Sequence, residues 1–327
     1  MEAKHWFGAV GLGAALIAVS FAFNQYQKPG DTPGARPFVA DLGDAGAVAA
    51  APIYDPTPTI PVPMPTLGIK AGRGSKPKPS TGGGAGQPTT VKAAPVKTDL
   101  ANALVGRVKW DGKAPKNPTI DMNSDQVCAS LHADTVRAER ILVDGDANVA
   151  NVVVYVKDVP AGSGTAKTED VALNQVGCTY VPHVLAFQLS QSVKVTNSDA
   201  TTHNVHFKSK LNGDWNMTQA SKGTIPTKQG FAKAEVGTSL FKCDIHPWME
   251  ARVAIFDHPF FATTKADGTF EIDTAGLPDG KYEIWAWHEK YKTAKVKGVE
   301  VKQGQVVQLQ FTFNKKKKNK GAIVTDK

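Results

Sequence analysis

Cys243, His246 and Met249 share one short stretch, Cys243-Asp-Ile-His246-Pro-Trp-Met249, and His203-Asn-Val-His206-Phe stands upstream of it. A thiolate, imidazoles and a thioether drawn from two places in a chain are donors for a transition metal. One Cys sulfur, two His nitrogens and one Met sulfur form the set that holds a single copper ion in electron-transfer centres. Soft sulfur suits Cu(I), imidazole suits either oxidation state, and a weak axial thioether leaves the geometry between the two preferences. Little then has to move when an electron arrives. Zinc also takes Cys and His but makes poor use of a thioether, so Met249 argues against it. A binuclear copper centre needs two Cys on this loop, and Cys243 stands alone there. A multicopper oxidase needs several His-x-His pairs for a trinuclear cluster, and the chain's 8 histidines include none, so neither an oxidase nor a nitrite reductase is expected. By spacing alone, His206 serves as a ligand as well as His203.

The flanks must position these donors. Gly237-Thr-Ser-Leu-Phe-Lys-Cys243 reads as the end of a strand and Ala251-Arg-Val-Ala-Ile-Phe256 as the next, since both carry the period-2 alternation of a half-buried strand. The three downstream donors then lie on a tight loop that Pro247 stiffens. Upstream, Ser192-Val-Lys-Val-Thr196 is a short strand, and the turn-rich Asn197-Ser-Asp-Ala-Thr-Thr leads into His203. The expectation is a site assembled from two loops at one end of a β-sandwich.

The HNVHF stretch at 203–207 and the CDIHPWM stretch at 243–249 resemble the cupredoxins, the blue (type 1) copper family, and in particular its amicyanin- and plastocyanin-like modules. The resemblance covers roughly residues 171–256. It implies a Greek-key β-sandwich that shuttles single electrons, with His203, Cys243 and His246 as trigonal copper ligands and Met249 as the axial one. It implies that Asn204 ties the two ligand loops by hydrogen bonds, orienting the ligands. It further implies that His246 reaches the surface as the electron port, with Pro247 and Trp248 forming part of the docking surface.

Beyond this module the expected fold is all-β, with a second small β-sandwich, preceded by an N-terminal hydrophobic helix and a disordered linker. Residues 6–23 carry no charge; as a helix they span about 27 Å, enough for a bilayer core. Residues 1–26 are therefore a signal peptide or a membrane anchor, and either one exports the downstream chain. Residues 27–97 are rich in Pro, Gly and Ala and too poor in apolar surface to offset chain ordering. Val105-Gly-Arg-Val-Lys-Trp110 and Ala147–Val156 on one side, and Ala266-Asp-Gly-Thr-Phe-Glu-Ile272, Leu277–His288 and Gln305–Phe311 on the other, resemble the two halves of a carboxypeptidase-regulatory-like (transthyretin-like) sandwich. The expectation is that residues 98–165 and 259–314 form this split sandwich, with the copper domain, 166–258, inserted between them. The plainer alternative is a cupredoxin with a small C-terminal domain after it. Residues 315–327 are expected to be a basic tail.

Of the 3 cysteines, Cys128 and Cys178 remain once Cys243 is a ligand, and in an oxidising compartment they are expected to pair. His132 and His183 come with no complete ligand set, and His258 and His288 read as packing or surface residues. The formal net charge is +8, much of it concentrated in Lys315-Lys-Lys-Lys-Asn-Lys320. Such a run is a solvated tail or attracts anionic lipid or an acidic partner. It has no interleaved aromatics, which speaks against nucleic acid. The function expected is that of an exported, non-enzymatic single-electron carrier, periplasmic or in the cell envelope, meeting a redox partner such as a cytochrome or oxidoreductase, with residues 6–23 able to hold it at the inner membrane. A copper-storage protein and an interaction module without electron traffic are the alternatives.

Overall fold

The computed structural model describes residues 88–224 and 228–325; the hydrophobic segment 6–23 and most of the stretch 27–97 lie outside the described residues. In chain order the first elements are β1 (Thr90–Lys92), β2 (Ala103–Trp110), helix α1 (Gln126–Ser130), β3 (Leu142–Val143), β4 (Val149–Ala150) and β5 (Val153–Lys157). Then come β6 (Val171–Val176), β7 (Thr179–Val181), β8 (Val184–Gln188), β9 (Val193–Asn197), β10 (His203–Lys208) and β11 (Trp215–Gln219). After them lie β12 (Gly223–Thr224), β13 (Glu235–Lys242) and β14 (Glu250–Phe256). The last group is β15 (Phe261–Thr263), β16 (Thr269–Asp273), β17 (Gly280–Trp287), β18 (Ala294–Val301), β19 (Val306–Phe313) and β20 (Lys320–Thr325). The protein is all-β, and no helix among the described residues is long and apolar enough to cross a membrane.

Two pairs of sheets enclose two cores. A sheet ordered β1-β20-β19-β2-β16 and a sheet ordered β15-β5-β17-β18 bury one set of side chains. Leu104, Val108, Val154 and Val156 enter it from before residue 160, and Phe270, Ile284, Phe311 and Phe313 from after residue 260. The strands between build the other core: β11-β10-β13-β14-β8 faces β12-β9-β6-β7 over Leu173, Phe187, Val205, Phe207, Phe241 and Ile255. In the first core β2 is an interior strand, antiparallel to β16 on one side and parallel to β19 on the other. Gly106 permits that closeness, because a Cβ there would stand 2.0 Å from the Leu309 carbonyl oxygen.

The two cores are fastened to each other. Val153, Tyr155 and Phe261 pack with Val184, Ala254 and Phe256 in a third apolar cluster. Beside it, the carboxylate of Glu289, in the turn between β17 and β18, accepts from Arg252 Nε at 2.7 Å and pairs with His183 Nε2 at 3.0 Å. A buried charge needs this kind of pairing, and the burial and partners of His183 account for it without a metal.

Three boundaries differ from those expected. Residues 315–318 form a turn rather than the start of a solvated tail: Asn314 Oδ1 accepts from the amides of Lys316 and Lys317 at 2.7 and 2.9 Å. After that turn β20 pairs antiparallel with β19 and parallel with β1. The lysine run masks the short strand behind it, whose Ala322 is buried and whose Ile323 packs at the core's edge. Thr90–Lys92, expected in the linker, is ordered for the same reason, since β20 offers it a partner. Met122, Ile120 and Val136 lie within the stretch expected in the first sandwich, yet they pack into the second core, where the Cys128–Cys178 disulfide holds them.

Candidate metal centre

Cys243 comes directly after the last residue of β13, and the register Lys242↔Glu250 closes the hairpin onto β14. The loop between is held from inside: Cys243 N donates to the Met249 carbonyl at 3.2 Å and Met249 N to the His246 carbonyl at 2.9 Å. His203 begins β10, where residues of one parity face one side. His203, Val205 and Phe207 are buried, while His206 stands on the other side, paired with Asp244 at 2.8 Å. Strand parity thus separates the two histidines that spacing could not.

The donors converge. His203 Nδ1 and His246 Nδ1 are 3.0 Å apart, and Cys243 Sγ lies 3.8 Å from His246 Nδ1. One atom from each of the three residues falls within 4.8 Å of the others. His203 is 0% exposed, Cys243 and Met249 are 1%, and Met249 belongs to the same buried cluster. Cys243 Sγ accepts from the amides of Asn204 and His246, each at 3.3 Å. Burial alone would raise the thiol's pKa, but the His203 imidazole and the amides outweigh it and hold Cys243 below its ordinary value. A thiolate is the form that binds metal.

Asn204 spans the two loops: its Oδ1 accepts from Asp244 N at 3.1 Å and its Nδ2 donates to Asn216 Oδ1 at 2.6 Å. Tyr180 Oη adds a second tie, donating to the carbonyls of Asn204 and Lys242 at 2.8 and 3.2 Å.

The outer edge of each imidazole meets a carboxylate. His203 Nε2 is 2.9 Å from Asp199 Oδ2, and His246 Nε2 is 3.0 Å from Asp125 Oδ2. Burial pulls His203 down, yet Asp199 and Cys243 more than compensate and raise its pKa to about 9. Two imidazole Nδ1 atoms approach to 3.0 Å only with a cation or a proton between them. The donor set of two imidazoles and a thiolate, with Met249 buried in the same apolar cluster as Cys243, fits copper.

The electron port is the point of correction. His246 is 2% exposed. The N-cap of α1, Asp125, sits on its Nε2, and Cys128 Sγ lies 3.7 Å from the same atom. Trp248 is half-buried, its Nε1 donating to the Cys178 carbonyl at 3.0 Å. Of the loop's apolar residues, Ile245 and Pro247 are exposed. The covering segment lies more than a hundred residues before the loop, so nothing local to Cys243–Met249 announces it. Asp125 carries an N-cap signal, three residues before Cys128, and Asp199 lies within the turn-rich run ahead of His203; neither signal points to the metal centre by itself. His132 is placed apart from the donors, its Nε2 2.8 Å from the Gly177 carbonyl.

No protein-family model matches the chain, and no curated protein matches it. Among solved structures the chain is similar to a purple cupredoxin from Nitrosopumilus maritimus, at 18% identity over 27% of this chain and 100% of that one, with a TM-score of 0.23. It is similar to a reduced amicyanin variant at 19% identity, covering 32% of this chain and 98% of that one, with a TM-score of 0.23. A copper-containing nitrite reductase from Thermus scotoductus is similar at 17% identity, covering 31% of this chain and 25% of that one, with a TM-score of 0.25. At these values the chemistry rests on the geometry of the site itself.

Proposed function

We propose that the chain is an exported single-electron carrier, a cupredoxin-type module holding one type 1 copper ion through His203, Cys243 and His246, with Met249 axial. The observation that carries this reading is the convergence of two Nδ1 atoms and one amide-stabilised sulfur in a site closed to solvent. Bound copper would supply a one-electron Cu(II)/Cu(I) couple; the chain fixes the donors before the metal arrives and excludes water from them. A carrier rather than a catalyst is the reading we adopt because His203, Cys243, His246 and Met249 are all buried. Export is supported by the Cys128–Cys178 disulfide, a bond typical of oxidising compartments, and by the uncharged segment 6–23. The split outer sandwich is read as carboxypeptidase-regulatory-like, and a cytochrome or oxidoreductase as the partner.

Addition of Cu(II) to the purified protein should give an intense visible thiolate-to-copper band, absent from Cys243→Ser, whose far-ultraviolet circular dichroism stays unchanged. A copper-loaded wild-type protein lacking the band would sink the type 1 assignment. The burial of His246 favours a second reading, copper holding without traffic. Slow electron exchange with a soluble cytochrome, in a protein that shows the band, would select it.

A further inference from the structure

We propose that Asp125 and Asp199 are positioning residues of the metal centre: each holds one imidazole with Nδ1 inward, the pair favours Cu(II) over Cu(I), and the Cys128–Cys178 disulfide joins them into one clamp. The proposal rests on the copper reading above but concerns residues outside the ligand set.

Both carboxylates are held by several partners at once. Asp125 Oδ1 accepts from the amides of Val127 and Cys128 at 2.8 and 3.0 Å, as the N-cap of α1, which leaves Oδ2 for Thr201 Oγ1 and His246 Nε2, both at 3.0 Å. Asp199 Oδ1 accepts from Gly177 N at 2.7 Å, and its Oδ2 accepts from Cys178 N at 2.8 Å and meets His203 Nε2 at 2.9 Å. The amides that hold the two carboxylates include those of Cys128 and Cys178, the residues that the disulfide joins. Thr201 closes the figure by reaching from the Asp199 turn to Asp125. Each ligand imidazole is thus gripped at its far nitrogen by an anion.

A carboxylate on the far nitrogen fixes which nitrogen is left to bind metal and raises its basicity. Two anions near the centre stabilise the more highly charged Cu(II) more than Cu(I), because Coulomb energy scales with charge and weakens little in a buried site. They also prevent His246 from swinging out, which an exposed edge would permit.

Asp125→Asn tests this. It is nearly isosteric and keeps an oxygen for the amides of Val127 and Cys128, but removes the charge facing His246. Chelator competition should show Cu(II) affinity reduced about 10–100-fold and Cu(I) affinity reduced less. The potential then rises by about 59 mV for each tenfold change in the ratio. Asp199→Asn should shift the ratio in the same direction, which keeps the idea testable if one variant folds poorly. Cys128→Ala combined with Cys178→Ala removes no charge, and should lower Cu(II) preference by loosening both carboxylates. Equal loss of Cu(II) and Cu(I) affinity in both Asn variants, or no loss, would overturn the role of the carboxylates. An unchanged ratio in the double Ala variant would remove the disulfide from the clamp. Wild-type protein that gives no thiolate-to-copper band fails the copper reading itself, a result distinct from a wild-type band with unshifted variants.

Discussion

The site's chemistry is set by single atoms whose partners are fully used. Cys243 has two amides on its sulfur, and the His203 and His246 imidazoles each turn one nitrogen toward the other ring and the second toward a carboxylate. A different histidine shows what burial does without such help. His288 is 2% exposed and accepts from Lys290 N at Nδ1, 3.1 Å away. Burial, only partly offset by Glu289, lowers its pKa from 6.5 to about 4. The unfolded chain therefore takes up a proton near pH 6.5 that the folded chain refuses until about pH 4. Stability from this group is complete above about pH 6.5 and lost as the pH falls toward 4, by roughly 3 kcal/mol in all. Denaturant titrations of wild type and His288→Asn across this window check it: the variant keeps an acceptor for Lys290 N and should show a flatter acid limb. Equal slopes would assign the acid limb to other groups.

At the scale of elements, β20 is the strand whose role is easiest to test. It covers β19 and provides the edge on which β1 pairs. A chain ending at residue 319 should lose a cooperative amount of thermal stability and expose the β19 edge, which invites association. If residues 320–327 were only a solvated tail, the melting temperature would not move. The lysines hide β20 because their charge dominates a short window, whereas the strand's burial depends on Phe311 and Val296, whose side chains crowd the backbone at Gly321. The ligand hairpin is legible for the opposite reason. Its two strands carry apolar residues on both sides of the loop, and β13 and β14 lie close enough in sequence for the loop between them to be read directly.

For the whole molecule, the consequence of the chain path is that neither core is built from one continuous stretch. β2 lies between β16 and β19, which come from after the second sandwich, and segment 120–136 leaves the first to pack in the second. Cleavage in the exposed connection 160–170 should therefore give fragments that stay together on native size exclusion, even after reduction, and separate only in denaturant. Release of separately folded pieces covering 104–157 and 260–313 would contradict this architecture. The same path explains why the His203, Cys243 and His246 cluster is closed, because the segment that covers His246 exists only where the outer sandwich hands the chain to the inner one. A module cut at residue 166 would lack Asp125 and Cys128 altogether.

The sequence by itself determined the kinds of donor, their order, the strands on both sides of the Cys243–Met249 loop and the all-β character, because these depend on residue type and short-range periodicity. It also made Cys128 and Cys178 a natural pair by elimination. The resemblance pointed to His203 over His206, and strand parity in the tertiary structure turns His203 to the buried side; only the tertiary structure decided that β20 is a strand and that His246 is roofed over by Asp125 and the disulfide. Those outcomes depend on strand parity within a particular sheet and on packing between residues far apart in the chain. Long-range contacts of that kind leave no local mark in the sequence.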